Sequence, residues 1–146
     1  MSREFQKVHA NGNDFIFVYP SFFGLENTRK ADNTFSQEEQ DMISPIVAKL
    51  SRRSFGVGCD IVGILSKIEE NHYKITTVDV KGYFAKMCGN ALRCAAGYLL
   101  AAKDVNKEHY VIRTDAKDGD LQVQAKLLSP TKFWTEVSVG IPRDYQ

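Results

Sequence analysis

One apolar helix constrains the folding of this 146-residue chain more than any other segment. Over residues 90–103, apolar side chains recur at the three- and four-residue spacing of one helix face, and they are Leu92, Ala95, Ala96, Leu99 and Leu100. Much of the remaining sequence consists of short apolar runs that are typical of strands. We therefore predict a strand-rich domain with this helix near its centre.

Strand candidates lie on both sides of the helix in the sequence. They cover residues 5–8, 15–19, 61–65 and 72–80 before it, and residues 110–114, 121–127 and 132–139 after it. Turns are predicted at Lys81-Gly82 and at Asp118-Gly119, because glycine tolerates the backbone angles that tight turns need. No segment is repeated and none has low complexity, so the pattern indicates a single domain.

A second helix is predicted over residues 36–53. Ser36 and Glu39 have the spacing of a capping box, in which the two side chains satisfy free amide donors at a helix start. Pro45 lies inside this segment, and proline removes an internal helix hydrogen bond. We therefore expect either a kink at Pro45 or a new helix start, with Ser44 as its cap and Pro45 as its first residue.

Composition limits the classes of partner. The chain is 43% hydrophobic, which is enough to close a core, and its 19 basic and 18 acidic residues leave a net charge of +1. So small a charge argues against duplex DNA or an anionic membrane surface as a partner. No apolar run approaches the roughly 18 residues of a membrane span, and residues 1–7 lack the apolar core of a signal peptide. We expect a soluble, cytoplasmic domain that binds neither nucleic acid nor membrane.

Cys88 is the strongest candidate for chemistry because it directly precedes the apolar helix. Unpaired backbone amides and the positive end of the helix dipole favour the thiolate there, and Lys86 and Arg93 add positive charge. Gly89 lets a ligand approach the backbone, and the free amides that follow suit a carboxylate. The pattern indicates a nucleophilic or proton-abstracting thiol beside an anion pocket. The alternative is a buried structural cysteine that happens to precede a helix.

Other polar features give weaker signals. Cys94 lies within the helix and is expected to pack as a small apolar residue, whereas Cys59 either packs or lines a site. We expect no metal, because no cysteine pair has the spacing of zinc ligands. The two-residue cysteine spacing of redox motifs is also absent, which argues against redox exchange. The segment from Gly56 to Gly58 indicates a tight turn that lets two backbones approach. Asn13 lies in a polar loop, where its amide either binds a ligand or caps its own backbone.

Three segments together resemble the diaminopimelate epimerase family. They are, in order, KVHANGNDF at residues 7–15, RSFGVGCD at residues 53–60 and MCGNALRC at residues 87–94. A fourth segment, VGIP at residues 139–142, resembles the end of the first half of these enzymes. Proline racemases, which are related, carry histidine at the position of Asn90, and phenazine-type isomerases share the fold without the thiol pair. The resemblance therefore favours the epimerase branch.

The resemblance implies a fold and a domain organisation. The fold is α+β, with a mixed, largely antiparallel sheet wrapped around a central helix. Family enzymes have two pseudo-symmetric halves of this kind. Residues 1–146 would form the N-terminal epimerase-like domain, and the second domain would be absent from this chain.

The resemblance also implies a reaction without a cofactor. Family members invert the α-carbon of an amino acid with two cysteines, of which one removes a proton and the other returns one to the opposite face. Cys88 would be the first of these cysteines, with Asn13, Gly89 and Asn90 binding the substrate. The full-length protein would convert LL- to meso-diaminopimelate in lysine biosynthesis. The second cysteine belongs to the other half, so we expect the 146-residue chain to be inactive alone.

Three departures from the family pattern leave the substrate open. Ile61 replaces a glutamine, Asp79 replaces an asparagine, and Ala91 replaces a glycine. A carboxylate at residue 79 is expected to weaken binding of a dianionic substrate, and the methyl group of Ala91 is expected to narrow the site. One alternative is therefore a sister racemase of another amino acid. Another is a non-catalytic half that pairs with itself or with a separate C-terminal half through the apolar wall left exposed.

Overall fold

A mixed sheet and two helices form the part of the chain that the computed structural model describes, namely residues 4–10, 12–29, 34–86, 88–116 and 119–138. The helices are α1 (Gln37–Leu50) and α2 (Gly89–Ala101), and a 3₁₀ turn covers Pro20–Phe23. The strands are β1 (Gln6–Ala10), β2 (Asn13–Val18), β3 (Ile61–Glu69), β4 (His72–Asp79), β5 (Phe84–Ala85), β6 (His109–Arg113), β7 (Asp120–Ser129) and β8 (Lys132–Val137).

The sheet is largely antiparallel. Its strand order is β1-β2-β3-β4-β6-β7-β8, and β5 pairs with β4 beside this path. Two pairs are parallel, β2 with β3 and β4 with β6. Parallel neighbours need a long crossover, and each crossover here contains a helix, α1 in the first and α2 in the second. The α+β class and the mixed sheet expected from the sequence are confirmed.

The sheet curls around α2. This helix contacts both edge strands, β1 and β8, and also the strands between them. Its buried residues are Ala91, Leu92, Cys94, Ala95, Ala96, Gly97 and Leu99, which include most of the predicted apolar face. Leu100 is only half-buried. The prediction of a central apolar helix is confirmed.

A second apolar cluster lies on the other face of the sheet, under α1. Successive residues of β2 alternate between the two clusters, with Phe15 and Phe17 toward α2 and Ile16 and Val18 toward α1. The strand is therefore buried on both faces, which explains its uninterrupted apolar run. From α1, Ile43 and Val47 are fully buried in this second cluster.

The start of α1 agrees with the sequence, and one of the two expectations for Pro45 is wrong. Ser36 Oγ accepts from the Glu39 amide at 3.2 Å, and Glu39 Oε1 accepts from the Ser36 amide at 2.9 Å, so the capping box is confirmed. The helix continues through Pro45, and the predicted new start there is wrong. Ser44 Oγ does not cap; it donates to the Gly82 carbonyl at 2.7 Å and ties α1 to the turn after β4.

The predicted strands are found, with ends that differ by up to four residues. β3 continues to Glu69 because its polar second half still pairs with β4. β5 has only two residues and gave no sequence signal. The turn at residues 118–119 is described only at Gly119, whose φ of 57° suits glycine. Asn11, Met87, Asp118 and the VGIP segment lie outside the described residues.

A cavity of about 850 Å³ opens between the two edge strands, β1 and β8. Its floor is the C-terminal end of α2, at Tyr98, Ala101 and Ala102. Cys88 lies at the opposite end of this helix, so the cavity is separate from the predicted catalytic thiol. None of the helices in the described ranges is long and apolar enough to cross a membrane.

Candidate active site

Cys88 is the N-cap residue of α2. Its backbone is extended, with φ of −133° and ψ of 116°, and its thiol makes no capping hydrogen bond. Its carbonyl accepts the first bond of the helix, from the Leu92 amide at 2.9 Å. The amides of Gly89, Asn90 and Ala91 precede that bond and have no partner within the helix. Among the described residues, a half-buried thiol without a capping hydrogen bond therefore lies beside three amides that have no partner within the helix.

A chain of hydrogen bonds connects the side chains next to Cys88. Arg93 Nη1 donates to Asn90 Oδ1 at 2.9 Å, and Asn90 Nδ2 donates to Asn13 Oδ1 at 2.8 Å. Asn13 Nδ2 in turn donates to Asp60 Oδ2 at 3.3 Å. The structure thus brings together Cys88, Gly89, Asn90 and Asn13, the four residues predicted to form the site. It gives Asn13 a partner on α2, which is not the backbone cap considered as its alternative role.

A cluster of charges lies behind Asn13. The Arg53 guanidinium makes two bonds to Asp14, at 2.8 and 3.1 Å, and a third to Asp60 at 3.1 Å. Lys7 Nζ lies 3.1 Å from Asp14. The Arg53 hydrogen bond, with help from Lys7, holds the pKa of Asp14 well below its usual range. Asp14 and Asp60 also accept each other's backbone amides, at 3.0 and 3.1 Å, which fixes the start of β2 against the loop before β3.

Two glycines allow the backbone path of the loop before β3. A Cβ on Gly56 would lie 2.2 Å from the Lys49 carbonyl oxygen, so only glycine allows the loop to pass the end of α1. Gly58 has a φ of 84°, and its carbonyl accepts from Lys7 Nζ at 2.8 Å. The predicted tight turn with a close backbone approach is confirmed.

The other two cysteines are buried. Burial, together with the nearby charge of Cys88, raises the pKa of Cys94 to about 11. Burial also raises the pKa of Cys59, whose Sγ donates to Ser51 Oγ at 3.6 Å. Both are side chains of the apolar clusters, so Cys94 packs as predicted and Cys59 is a packing residue rather than a site wall. Across the described ranges, no group of three or more His, Cys, Asp or Glu side chains is placed to hold a metal.

The three departures from the family pattern have different surroundings. Asp79 Oδ1 accepts the backbone amides of Lys81 and Tyr83, at 2.9 and 3.0 Å, so this carboxylate closes its own turn. Ala91 is fully buried in the main cluster, where its methyl group packs. Ile61 is half-buried against the same cluster and pairs with Asp79 in the sheet.

Sequence reasoning missed Asp60 as a partner of the site and gave Arg93 only the role of a nearby charge. Arg93 lies three residues after Asn90 on α2, and this helical spacing was an available signal for their contact. Asp60 lies 47 residues from Asn13 in sequence. Their contact depends on the parallel pairing of β2 with β3, which no local sequence pattern predicts.

Comparison with known proteins agrees with the motifs. The family model described as diaminopimelate epimerase matches residues 5–133. A diaminopimelate epimerase of Methanothrix thermoacetophila is 33% identical over 140 residues, which cover 96% of this chain and 44% of that protein. One from Acetivibrio thermocellus is 32% identical over 138 residues, covering 94% of this chain and 43% of that protein. The chain thus spans less than half the length of these curated relatives.

The fold also has a counterpart among solved structures. A crystal structure of a phenazine biosynthesis protein of the PhzF family from Bacillus anthracis aligns with a TM-score of 0.53. The alignment covers 91% of this chain and 38% of that one, at 15% sequence identity. This likeness shows a shared fold.

Proposed function

The chain belongs to the diaminopimelate epimerase family, and from this premise we propose that it is the N-terminal half of a cofactor-independent enzyme converting LL- to meso-diaminopimelate. Such an enzyme would serve lysine biosynthesis. The proposal rests above all on the position of Cys88, an unbonded thiol at the start of the central helix beside Asn13 and Asn90. The burial of the cysteines supports this choice, because Cys59 and Cys94 are buried whereas Cys88 is half-buried.

Cys88 is proposed to transfer a proton to or from the α-carbon. As thiolate it takes the α-proton and becomes a thiol, while the electron pair of the broken C–H bond stays on the substrate as a carbanion. In the reverse direction the Cys88 thiol returns a proton. The free amides of Gly89, Asn90 and Ala91 are suited to stabilise the substrate carboxylate as negative charge develops beside it.

The second thiol is proposed to come from outside this chain. Inversion needs an acid on the face of the α-carbon opposite Cys88. Cys59 and Cys94 are only 2% and 1% exposed, and both belong to the apolar clusters, so neither is suited to that role. A C-terminal half is the proposed source, which makes it the partner of this domain.

An exposed apolar surface supports such a partner. Phe55 is 92% exposed and Tyr83 is 68% exposed, and Val57 and Val80 are also exposed nearby in sequence. These residues lie on the loop before β3 and the turn after β4, whose ends meet where Ile61 pairs with Asp79. We propose that the second half covers this surface, closes the site and excludes water from it.

We also propose a second candidate, a racemase of another amino acid. Ile61 places an apolar side chain where many family members have a polar one, at the sheet position next to Asp79. Such a change alters which groups of a substrate find hydrogen-bond partners, whereas it leaves the Cys88 chemistry intact.

A panel of amino acids tests the choice of substrate. The complete protein that contains this segment is incubated in D₂O with LL-diaminopimelate, lysine, arginine, phenylalanine or proline, and ¹H NMR follows loss of the α-proton signal. We expect exchange with LL-diaminopimelate and conversion to the meso form. Exchange confined to a different amino acid would establish the second candidate instead, and exchange with none would contradict both.

A further inference from the structure

The hydrogen bonds through Asn13 and Asn90 run in one direction, from a cation to a carboxylate. A guanidinium can only donate, so Asn90 must present its amide oxygen to Arg93. A carboxylate can only accept, so Asn13 must present its NH₂ group to Asp60. The bond between the two amides, from Asn90 Nδ2 to Asn13 Oδ1 at 2.8 Å, fits both requirements. The charged residues at the ends therefore fix the orientation of both amides.

This orientation leaves one N–H free on each amide. Each oxygen accepts one bond in the chain and keeps a second lone pair, while each NH₂ group donates one bond and keeps a second N–H. Asn90 is the second residue of α2, so its side chain adjoins the unpaired backbone amides that follow Cys88. Together with those amides, the free donors outnumber the remaining acceptors, and such a site suits a carboxylate of the substrate better than its ammonium group.

The Asp60 end of the chain is held in place, and the Arg93 end lies close to Cys88. Asp60 accepts from the Asp14 amide at 3.0 Å and from Arg53 at 3.1 Å, so its carboxylate cannot turn without breaking these bonds. At the other end, Arg93 Nη1 lies 3.7 Å from the place where a Cβ on Gly89 would be. The guanidinium is thus close to the residue that follows Cys88.

We propose that Asp60 and Arg93 are positioning residues that make the site beside Cys88 selective for a carboxylate. The inference rests on the proposed function in one respect, that a substrate approaches the Cys88 thiol. Asp60 and Arg93 do not contact the substrate in this proposal. They act through the side-chain amides of Asn13 and Asn90.

Alkylation of Cys88 by two matched reagents tests this proposal without turnover. Iodoacetate carries a carboxylate and iodoacetamide is its neutral analogue, and peptide mass spectrometry of the 146-residue chain gives the rate of each at Cys88. The ratio of the iodoacetate rate to the iodoacetamide rate cancels any difference in thiolate fraction. We expect the ratio at Cys88 to exceed that of N-acetylcysteine about tenfold, the effect of a hydrogen bond to a charged group.

The Asp60→Asn variant separates positioning from simple charge. Loss of a negative charge alone would favour the anionic reagent and raise the ratio. The proposal predicts a fall toward the N-acetylcysteine value, because an asparagine at residue 60 can donate as well as accept and no longer fixes Asn13. Circular dichroism shows whether this variant folds.

Arg93 provides a second, independent variant. Arg93→Met is expected to lower the ratio in the same way, and Arg93→Lys, which keeps a cationic donor, is expected to restore part of it. Lys107→Met makes the same change in net charge on an exposed residue beyond the far end of α2 and is expected to keep the original ratio.

Two results would overturn the proposal. One is a ratio at Cys88 no higher than that of N-acetylcysteine, and the other is a ratio that Asp60→Asn raises or that Arg93→Met leaves unchanged. An epimerase that fails on every amino acid can still show the predicted ratios, and an active epimerase can lack them. The test therefore separates failure of this proposal from failure of the proposed function.

Discussion

Burial gives the three cysteines different chemistry. Cys88 and Cys94 are six residues apart on or next to the same helix, yet Cys94 points into the main cluster and Cys88 lies at the helix start. A pKa of about 11 keeps Cys94 protonated at neutral pH, so it cannot serve as a base there. The packing role of Cys94 followed from helix periodicity. That of Cys59 did not, because its burial depends on α1 and on strands distant in sequence.

Asp14 is expected to make the free energy of unfolding depend on pH. The Arg53 hydrogen bond lowers the pKa of Asp14 in the folded state below its unfolded value of about 3.9. A lowered pKa stabilises the fold above the unfolded value, and this contribution is lost as pH falls through and below about 4. In urea unfolding, we expect Asp14→Asn to be less stable than the wild type at pH 7, and the difference to shrink steadily from about pH 5 to pH 3. A constant difference across that range would contradict the ion-pair interpretation.

At the scale of elements, α2 was predictable as a helix but its partners were not. The apolar spacing predicted its position and its buried face. Its close contact with β8 depends on the order of strands in the curled sheet, which short-range patterns do not contain. The same limit applies to β5 and to the parallel pairing that brings Asp60 to Asn13. It also applies to the continuation of α1 through Pro45, because the neighbouring residues Ile43 and Val47 hold this helix on the sheet.

Gly97 tests the contact between α2 and β8. A Cβ at this position would lie 1.8 Å from Phe133 Cδ2, so Gly97→Ala must displace the ring or the helix. Overpacking of this kind typically costs about 1–3 kcal/mol, which outweighs the gain of about 1 kcal/mol in helix propensity. We expect urea unfolding to show a net loss of stability for Gly97→Ala.

Gly89→Ala is the matched control on the same helix. The nearest atom to its added methyl group is Arg93 Nη1 at 3.7 Å, which is ordinary contact. We expect this variant to remain within about 0.5 kcal/mol of the wild type in stability. Equal stability of the two alanine variants would contradict the close packing of α2 on β8.

At the scale of the whole molecule, the chain corresponds to part of its curated relatives. The match to the family extends over residues 5–133, and the chain spans less than half the length of its curated relatives. The motifs indicated this family without any structure. The exposed side chains of Phe55 and Tyr83 flank the ends of β3 and β4 that meet near the site. The motifs could not predict this arrangement, because it depends on how β3 and β4 pair.

We predict that the 146-residue chain alone does not invert an amino acid. Cys59 and Cys94 are buried, which leaves Cys88 as the proposed proton-transfer thiol, and a two-base inversion needs an acid on the opposite face. The measurement is chiral chromatography of LL-diaminopimelate after incubation with the purified chain, beside a reaction without protein. Formation of meso-diaminopimelate above that blank would contradict the prediction.

Cys88 is proposed to transfer the α-proton, and its replacement in the complete protein tests this role. The protein containing this segment is prepared as wild type, Cys88→Ala and Cys94→Ala, and ¹H NMR in D₂O measures α-deuterium incorporation into LL-diaminopimelate. We expect conversion by the wild type, retained activity in Cys94→Ala if it folds, and a loss of at least about a hundredfold in Cys88→Ala. Conversion by Cys88→Ala at a rate near that of the wild type would contradict the proposed role of Cys88.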